Sequence, residues 1–99
     1  MEQVNQEQLA PLRYNGCWKE KIAITSNWPK SHRHGLVVCG TDDVSQEKIS
    51  EFVIFFTTYL DLSNYLHSYL LTHEGESVMF SVQIWECKDD PRLIASHTV

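Results

Sequence analysis

Between Ser77 and Cys87 the chain alternates, with Val78, Phe80, Val82 and Ile84 large and apolar and Ser77, Ser81 and Gln83 polar. A period of two sends each set to its own face of an extended chain, so this stretch predicts a strand with one buried face. The opposite face still carries Met79, Trp85 and Cys87. Apolar groups of that size need a cover, either the lead-in around Leu9 to Leu12 or a partner subunit, since Trp and Met are enriched at interface cores. Lys88-Asp89-Asp90-Pro91 reads as a turn. Arg92 to Val99 then returns as a last strand, with Leu93 and Ala95 on one face. That strand is a candidate sheet edge, which makes a homodimer formed by strand pairing one candidate assembly.

Upstream the period changes. Leu62, Tyr65, Leu66, Tyr69, Leu70 and His73 recur at the spacing of one helical face, and predict a helix of about three turns. Asp61 or Ser63 is placed to cap its start, and Gly75 to end it. Ile49 to Leu60 obeys neither period. Phe52-Val53-Ile54-Phe55-Phe56 is apolar on every side, and its β-branched and aromatic content favours a central strand, with a helix from about Ser45 as the alternative. Leu36 to Cys39 is a short strand closed by Gly40 and the turn Thr41-Asp42-Asp43. Cys17 to Ser26 alternates again, with Trp18, Ile22 and Ile24 on one side. Residues 1–12 are polar and Gln-rich and read as a tail or lead-in, leaving 13–99 as one domain. The expected architecture is α+β: an antiparallel sheet of four or five strands with one main helix on a face, in the order β-β-β-α-β-β.

Composition narrows the function more than the fold. Ninety-nine residues at 42% hydrophobic suffice for one small core, but a chain this short rarely holds a deep catalytic cleft as well. No run reaches the ~20 apolar residues of a membrane span. The start, Met1 to Gln8, lacks the basic and apolar parts of a secretory signal. The three cysteines, Cys17, Cys39 and Cys87, are odd in number and widely spaced, as expected of free thiols in a reducing compartment. The expectation is a cytoplasmic protein.

Charge is uneven along the chain. Arg13 to Cys39 holds Arg13, Lys19, Lys21, Lys30 and Arg33 against Glu20, a balance of +4. Gly40 to Val99 holds ten acids against Lys48, Lys88 and Arg92, a balance of −7. With an overall charge of −5, direct nucleic-acid binding is disfavoured, whereas an acidic surface suits a basic partner.

The segment that carries most chemistry is Trp28-Pro29-Lys30-Ser31-His32-Arg33-His34-Gly35. On an extended chain His32 and His34 point the same way, and Cys39 follows a few residues on, so a metal or ligand site on His32, His34 and Cys39 is one reading. Lys30, Arg33 and both imidazoles beside Trp28 also form a cationic loop that suits an anion. The third reading is an exposed inter-strand loop with Trp28 folded onto the core, serving as a contact surface. Cys39 with His32 or His34, or Cys87 with His97, are pairings for a nucleophile and base, but no nucleophile elbow or phosphate cradle accompanies them.

Taken together, the chain reads as a small acidic protein-interaction module rather than an enzyme, without a cofactor. It would be a regulator, inhibitor or immunity-type protein that occupies a partner's surface, the partner being one that handles nucleic acid in one version. Its expected contact residues are Trp28, Lys30, His32, Arg33 and His34 in one patch, the turn acids Asp42, Asp43, Asp89 and Asp90 in another, and Trp85 on the second face of its strand.

Overall fold

A computed structural model describes residues 10–15 and 28–99 of the chain. Its elements are β1 (Leu12–Asn15), β2 (His34–Asp42), β3 (Lys48–Phe56), α1 (Tyr59–Thr72), β4 (Val78–Cys87) and β5 (Pro91–Thr98). The strands form one antiparallel sheet in the order β1-β3-β2-β4-β5. The helix packs on one face, so the protein is an α+β fold with the expected order of elements. The strand expected over Cys17 to Ser26 lies outside the described residues, as does Cys17. The first described strand begins at Leu12, the last residue of the stretch read as a tail or lead-in. No described helix is long and apolar enough to cross a membrane.

The ambiguous stretch resolves as β3, and topology explains why periodicity could not decide it. As an inner strand between β1 and β2, β3 buries both of its faces from Phe52 to Phe56. Such a strand reads as a continuous apolar run. The strand ends at Phe56 and the helix begins at Tyr59, with Thr58 as its cap. Thr58 adopts extended geometry, φ −129° and ψ 153°, and its Oγ1 accepts the Asp61 amide at 3.1 Å. That is an N-cap three residues ahead of Asp61, which the sequence offered as the cap alongside Ser63; Asp61 instead sits in the first turn, favourably placed for the helix dipole. Beyond the helix Gly75 takes φ +91°, the left-handed geometry expected of a terminating glycine.

Directly paired residues of neighbouring strands share a face, which divides the interior into two clusters. On the helix face, Leu36, Val38, Phe52, Ile54, Phe56, Phe80, Val82 and Ile84 are buried with Leu62, and Tyr65, Leu66, Tyr69 and Leu70 of α1 pack against them. On the other face, Trp28, Val37, Val53 and Phe55 are buried, flanked by Tyr14, Trp85 and Cys87. The four apolar positions expected to line up along β4 do so on the helix face. In β5 the register shifts opposite Ile84 and Trp85. Leu93 pairs with Trp85 and Ala95 with Ile84, leaving Ile94 as the extra residue. Leu93 and Ala95 therefore lie on opposite faces, contrary to the expectation from spacing, because a bulge inverts the alternation beyond it.

Candidate functional site

The Trp28–Gly35 segment is the cover of the second face. Trp28 is 5% exposed, and its ring meets Phe55 edge-on at 4.7 Å between centroids, with Tyr14 on the far side of Phe55 at 5.5 Å. Its indole Nε1–H donates to the His32 carbonyl at 2.6 Å. The ring can lie flat on β2 because residue 35 is glycine: a Cβ there would come within 2.9 Å of the Trp28 ring. His32 is 3% exposed. Its Nε2 lies 2.9 Å from the Ala10 carbonyl, which can only accept, so Nε2 carries the proton; Nδ1 lies 2.8 Å from the Ser31 hydroxyl. The histidine thus ties the loop to the segment leading into β1, with both ring nitrogens engaged.

These contacts correct the expected patch. Trp28 and His32 are interior groups, closed to a partner's surface, while Lys30 and Arg33 are exposed. His34 lies on the helix face, paired with Phe56 and Glu86, its ring 6.1 Å from Tyr59. Its Nδ1 is buried with no hydrogen-bond partner among the described residues. Cys39 lies on the Trp28 face, opposite Glu51 and Ser81. It stands five residues from His34, roughly 16 Å along a strand. So His32, His34 and Cys39 do not converge, and among the described residues no group of three or more His, Cys, Asp or Glu is placed to hold a metal ion. The thiol–imidazole pairings do not assemble either. Cys87 sits at the end of β4 opposite Pro91 on the Trp28 face, while His97 sits opposite Val82 on the helix face.

The turn acids fall at opposite ends of the sheet. Asp42 is occupied in building its own turn, since its Oδ1 accepts the amides of Val44 at 2.8 Å and Ser45 at 3.2 Å. Asp43 is exposed, and its amide donates to the Ser77 carbonyl at 3.0 Å. That bond joins this turn to the Glu74–Ser77 connection, so Asp43, Glu47, Glu74 and Glu76 share one acidic end. At the other end Asp89 and Asp90, with Glu86, Lys88 and Arg92, line a shallow hollow of about 270 Å³. The Arg33 carbonyl accepts the Cys87 amide there at 2.8 Å, which brings Arg33 of the Trp28 loop beside the start of the β4–β5 turn. Burial, and then Asp90 and Asp89, raise the Cys87 thiol above its ordinary value, with Arg33 opposing them. Trp85 is half-buried against the Trp28 cluster and donates to Gln83 Oε1 at 3.1 Å.

One surface stands out in length and exposure. β5 ends the sheet order, and no described strand pairs with its outer side. Only Pro91 and Ala95 are even half-buried along it, and the bulge pushes Leu93 and Ile94 out, at 45% and 49% exposure. Phe80 and Val99 exchange both backbone hydrogen bonds, at 3.0 and 2.8 Å. By antiparallel alternation His97 and Ala95 turn their amides and carbonyls to β4 as well, and those of Ser96 and Thr98 turn outward. Beside this edge, on the helix face, Leu70, Leu71, Phe80 and Val99 line a groove of about 390 Å³ between the end of α1 and β4.

Comparison with protein-family models, curated proteins and solved structures finds no match to this chain.

Proposed function

We propose that this protein is a small acidic protein-interaction module that works by occupying a partner's surface, as a regulator, inhibitor or immunity-type protein does, and not by catalysis. The observation that carries the reading is the β5 edge, which no described strand covers. An eight-residue strand with outward amides and carbonyls at Ser96 and Thr98 offers main-chain hydrogen bonds to an incoming strand, and alternate side chains beside it supply specificity. The acidic end around Asp43, Glu47, Glu74 and Glu76 adds a long-range attraction for a basic partner. This favours proteins that handle nucleic acid and acts mainly on association rate. Of the contact residues expected from sequence, Lys30, Arg33, Asp43, Asp89 and Asp90 remain available on the surface, with His34 and Trp85 half-buried beside them.

The test compares three forms of the protein as bait in a lysate of the source cell: the wild type, Ser96→Pro, and Asp43→Asn combined with Glu74→Gln. A partner retained by the wild type and lost from Ser96→Pro supports the edge as the working surface. The acid-neutralised form should keep that partner and lose the salt dependence of its capture. Equal recovery on all three baits would discard the edge.

A further inference from the structure

We infer that the strand that fits the β5 edge is β5 of a second copy of this chain, paired antiparallel about a two-fold axis normal to the sheet. This deepens the interaction-module reading and rests on its use of the edge. Three features of the edge point to a self-pair.

The first is charge. Pro91 to Thr98 contains no acid and a single cation, Arg92, at one end. An antiparallel self-pair centred between Ala95 and His97 never sets Arg92 against its own copy, avoiding the like-charge opposition that destabilises strand pairs. It carries Arg92 instead to the partner's Thr98–Val99 end. There the partner's Glu74 and Glu76 line the same groove as Val99, giving the guanidinium an acidic counterpart. Glu76 also lies 3.0 Å from His73 Nδ1. Lys88, Asp89 and Asp90 fall outside the overlap, in the turn before Pro91.

The second is the backbone. Beyond the bulge, Ala95 to Thr98 is a regular strand with Ser96 and Thr98 presenting their polar groups outward, and an identical strand run in the opposite direction presents the same pair. The bulge and Pro91 blunt the other half of the edge, as edge-protecting devices do, so the open half is the half next to the groove.

The third is the apolar surface. An axis normal to the sheet places both helices on the same side, with the two grooves between α1 and β4 facing each other. Leu71, at 56% exposure, and Val99, at 59%, line that groove, and Leu93 and Ile94 lie along the adjoining strand. One self-complementary contact covers Leu71 and Val99 of both copies, while Leu93, paired with Trp85, stays on the opposite face of the sheet, in keeping with the isologous interfaces of two-fold dimers.

The experiment is sedimentation velocity on the untagged full chain, comparing wild type with Ser96→Pro and Ile94→Lys, the fold of each checked by circular dichroism. Proline at 96 removes an outward amide and should leave the β4–β5 ladder intact. Lysine at 94 places a charge on the exposed bulge, and decides the matter should proline unfold the strand. The expected result is a wild-type dimer and, in both variants, association weakened by roughly tenfold or more with unchanged secondary structure. A dimer indifferent to both substitutions would overturn the β5 pairing. A wild-type monomer up to about 100 μM, too weak an association to matter, would overturn it too. In that case a foreign partner lost on Ser96→Pro keeps the edge as the working surface, and the absence of any such partner removes both.

Discussion

On one face of the sheet Phe52, Ile54, Phe56 and their neighbours meet a 14-residue helix that lays Leu62, Tyr65, Leu66, Tyr69 and Leu70 across them. On the other face Val37, Val53 and Phe55 meet the Trp28 indole, hydrogen-bonded to the His32 carbonyl and seated on a glycine, with Tyr14, Trp85 and Cys87 at its margin. The two covers differ in how they are specified. The helix depends on a repeated pattern in which each residue adds a share, and any one of them tolerates some change. The loop depends on a few contacts, Trp28 with Gly35, Trp28 with the His32 carbonyl and His32 with Ala10, each of which has no substitute among the described residues. A face closed in this way is as buried as the other, but its stability is concentrated in fewer positions.

The sharpest way to break this comparison is to truncate one large residue on each side. Phe52→Ala on the helix face should cost about 3–5 kcal/mol, and Trp28→Ala on the loop face about the same, because both leave large cavities in closed interiors. Urea denaturation followed by circular dichroism reads both. If Trp28→Ala costs less than about 1 kcal/mol, as exposed positions do, the loop is a surface feature and the second core does not exist.

Gly35 tests the seat of the indole. In Gly35→Ala the new methyl would stand 2.9 Å from the Trp28 ring, and the ring cannot simply swing away without losing its hydrogen bond to His32. Overpacking of this kind should cost about 1–3 kcal/mol. The informative form is a double-mutant cycle: with Trp28 already replaced by alanine, Gly35→Ala should cost little, giving a coupling of similar size and opposite sign. Additive effects would show that the glycine serves the strand alone.

The contrast also explains what was legible in the sequence. The alternation of β4 and the stripe of α1 each have one polar and one apolar side, so their periods survive in the sequence. β3 lost its period because both covers lie over it, one on each face. The Trp28 loop misled for a different reason. Its Lys, Arg, Ser and two His residues have the composition of a solvated contact loop, and a hydrophobicity pattern cannot show that His32 turns inward to a backbone carbonyl 22 residues away. The signals present were Trp28 itself and Gly35 at the start of a strand, a site where a glycine often marks the close approach of another group. The Leu93–Ala95 inversion had no signal at all, since a bulge is set by register against the neighbouring strand. The place of β5 at one end of the described sheet order, by contrast, was foreseeable from its being the last strand.

A smaller effect separates the helix cover from its pattern. The helix begins at Tyr59 because Thr58 Oγ1 takes the Asp61 amide. Thr58→Ala removes that bond and should lower stability by about 1 kcal/mol, while Ser63→Ala, inside the helix and exposed, should change it by less than about 0.5 kcal/mol. A larger loss from Ser63 than from Thr58 would return the cap to Ser63, one of the two positions, with Asp61, that the sequence alone offered.

The smallest effect probes the margin of the loop face, where Cys87 packs beside the Trp28 cluster. Burial first, then Asp90 and Asp89, raise its thiol above the ordinary value of 9.0, against a lowering by Arg33. The folded thiol therefore holds its proton where the unfolded one has begun to lose it. In linkage terms the stability tied to this group is fully present below about pH 9 and is lost as pH rises from there through the folded value; Tyr69, raised from 10.0 chiefly by burial, acts in the same direction at higher pH. Alkylation of Cys87 at about pH 8.5, mapped by mass spectrometry, should be slower in the native protein than in urea, because the thiolate is the reactive form. Asp89→Asn with Asp90→Asn should speed it slightly, and Trp28→Ala should speed it more, since burial is the larger cause. A native rate equal to the unfolded rate would mean that the indole does not shelter this side of the sheet.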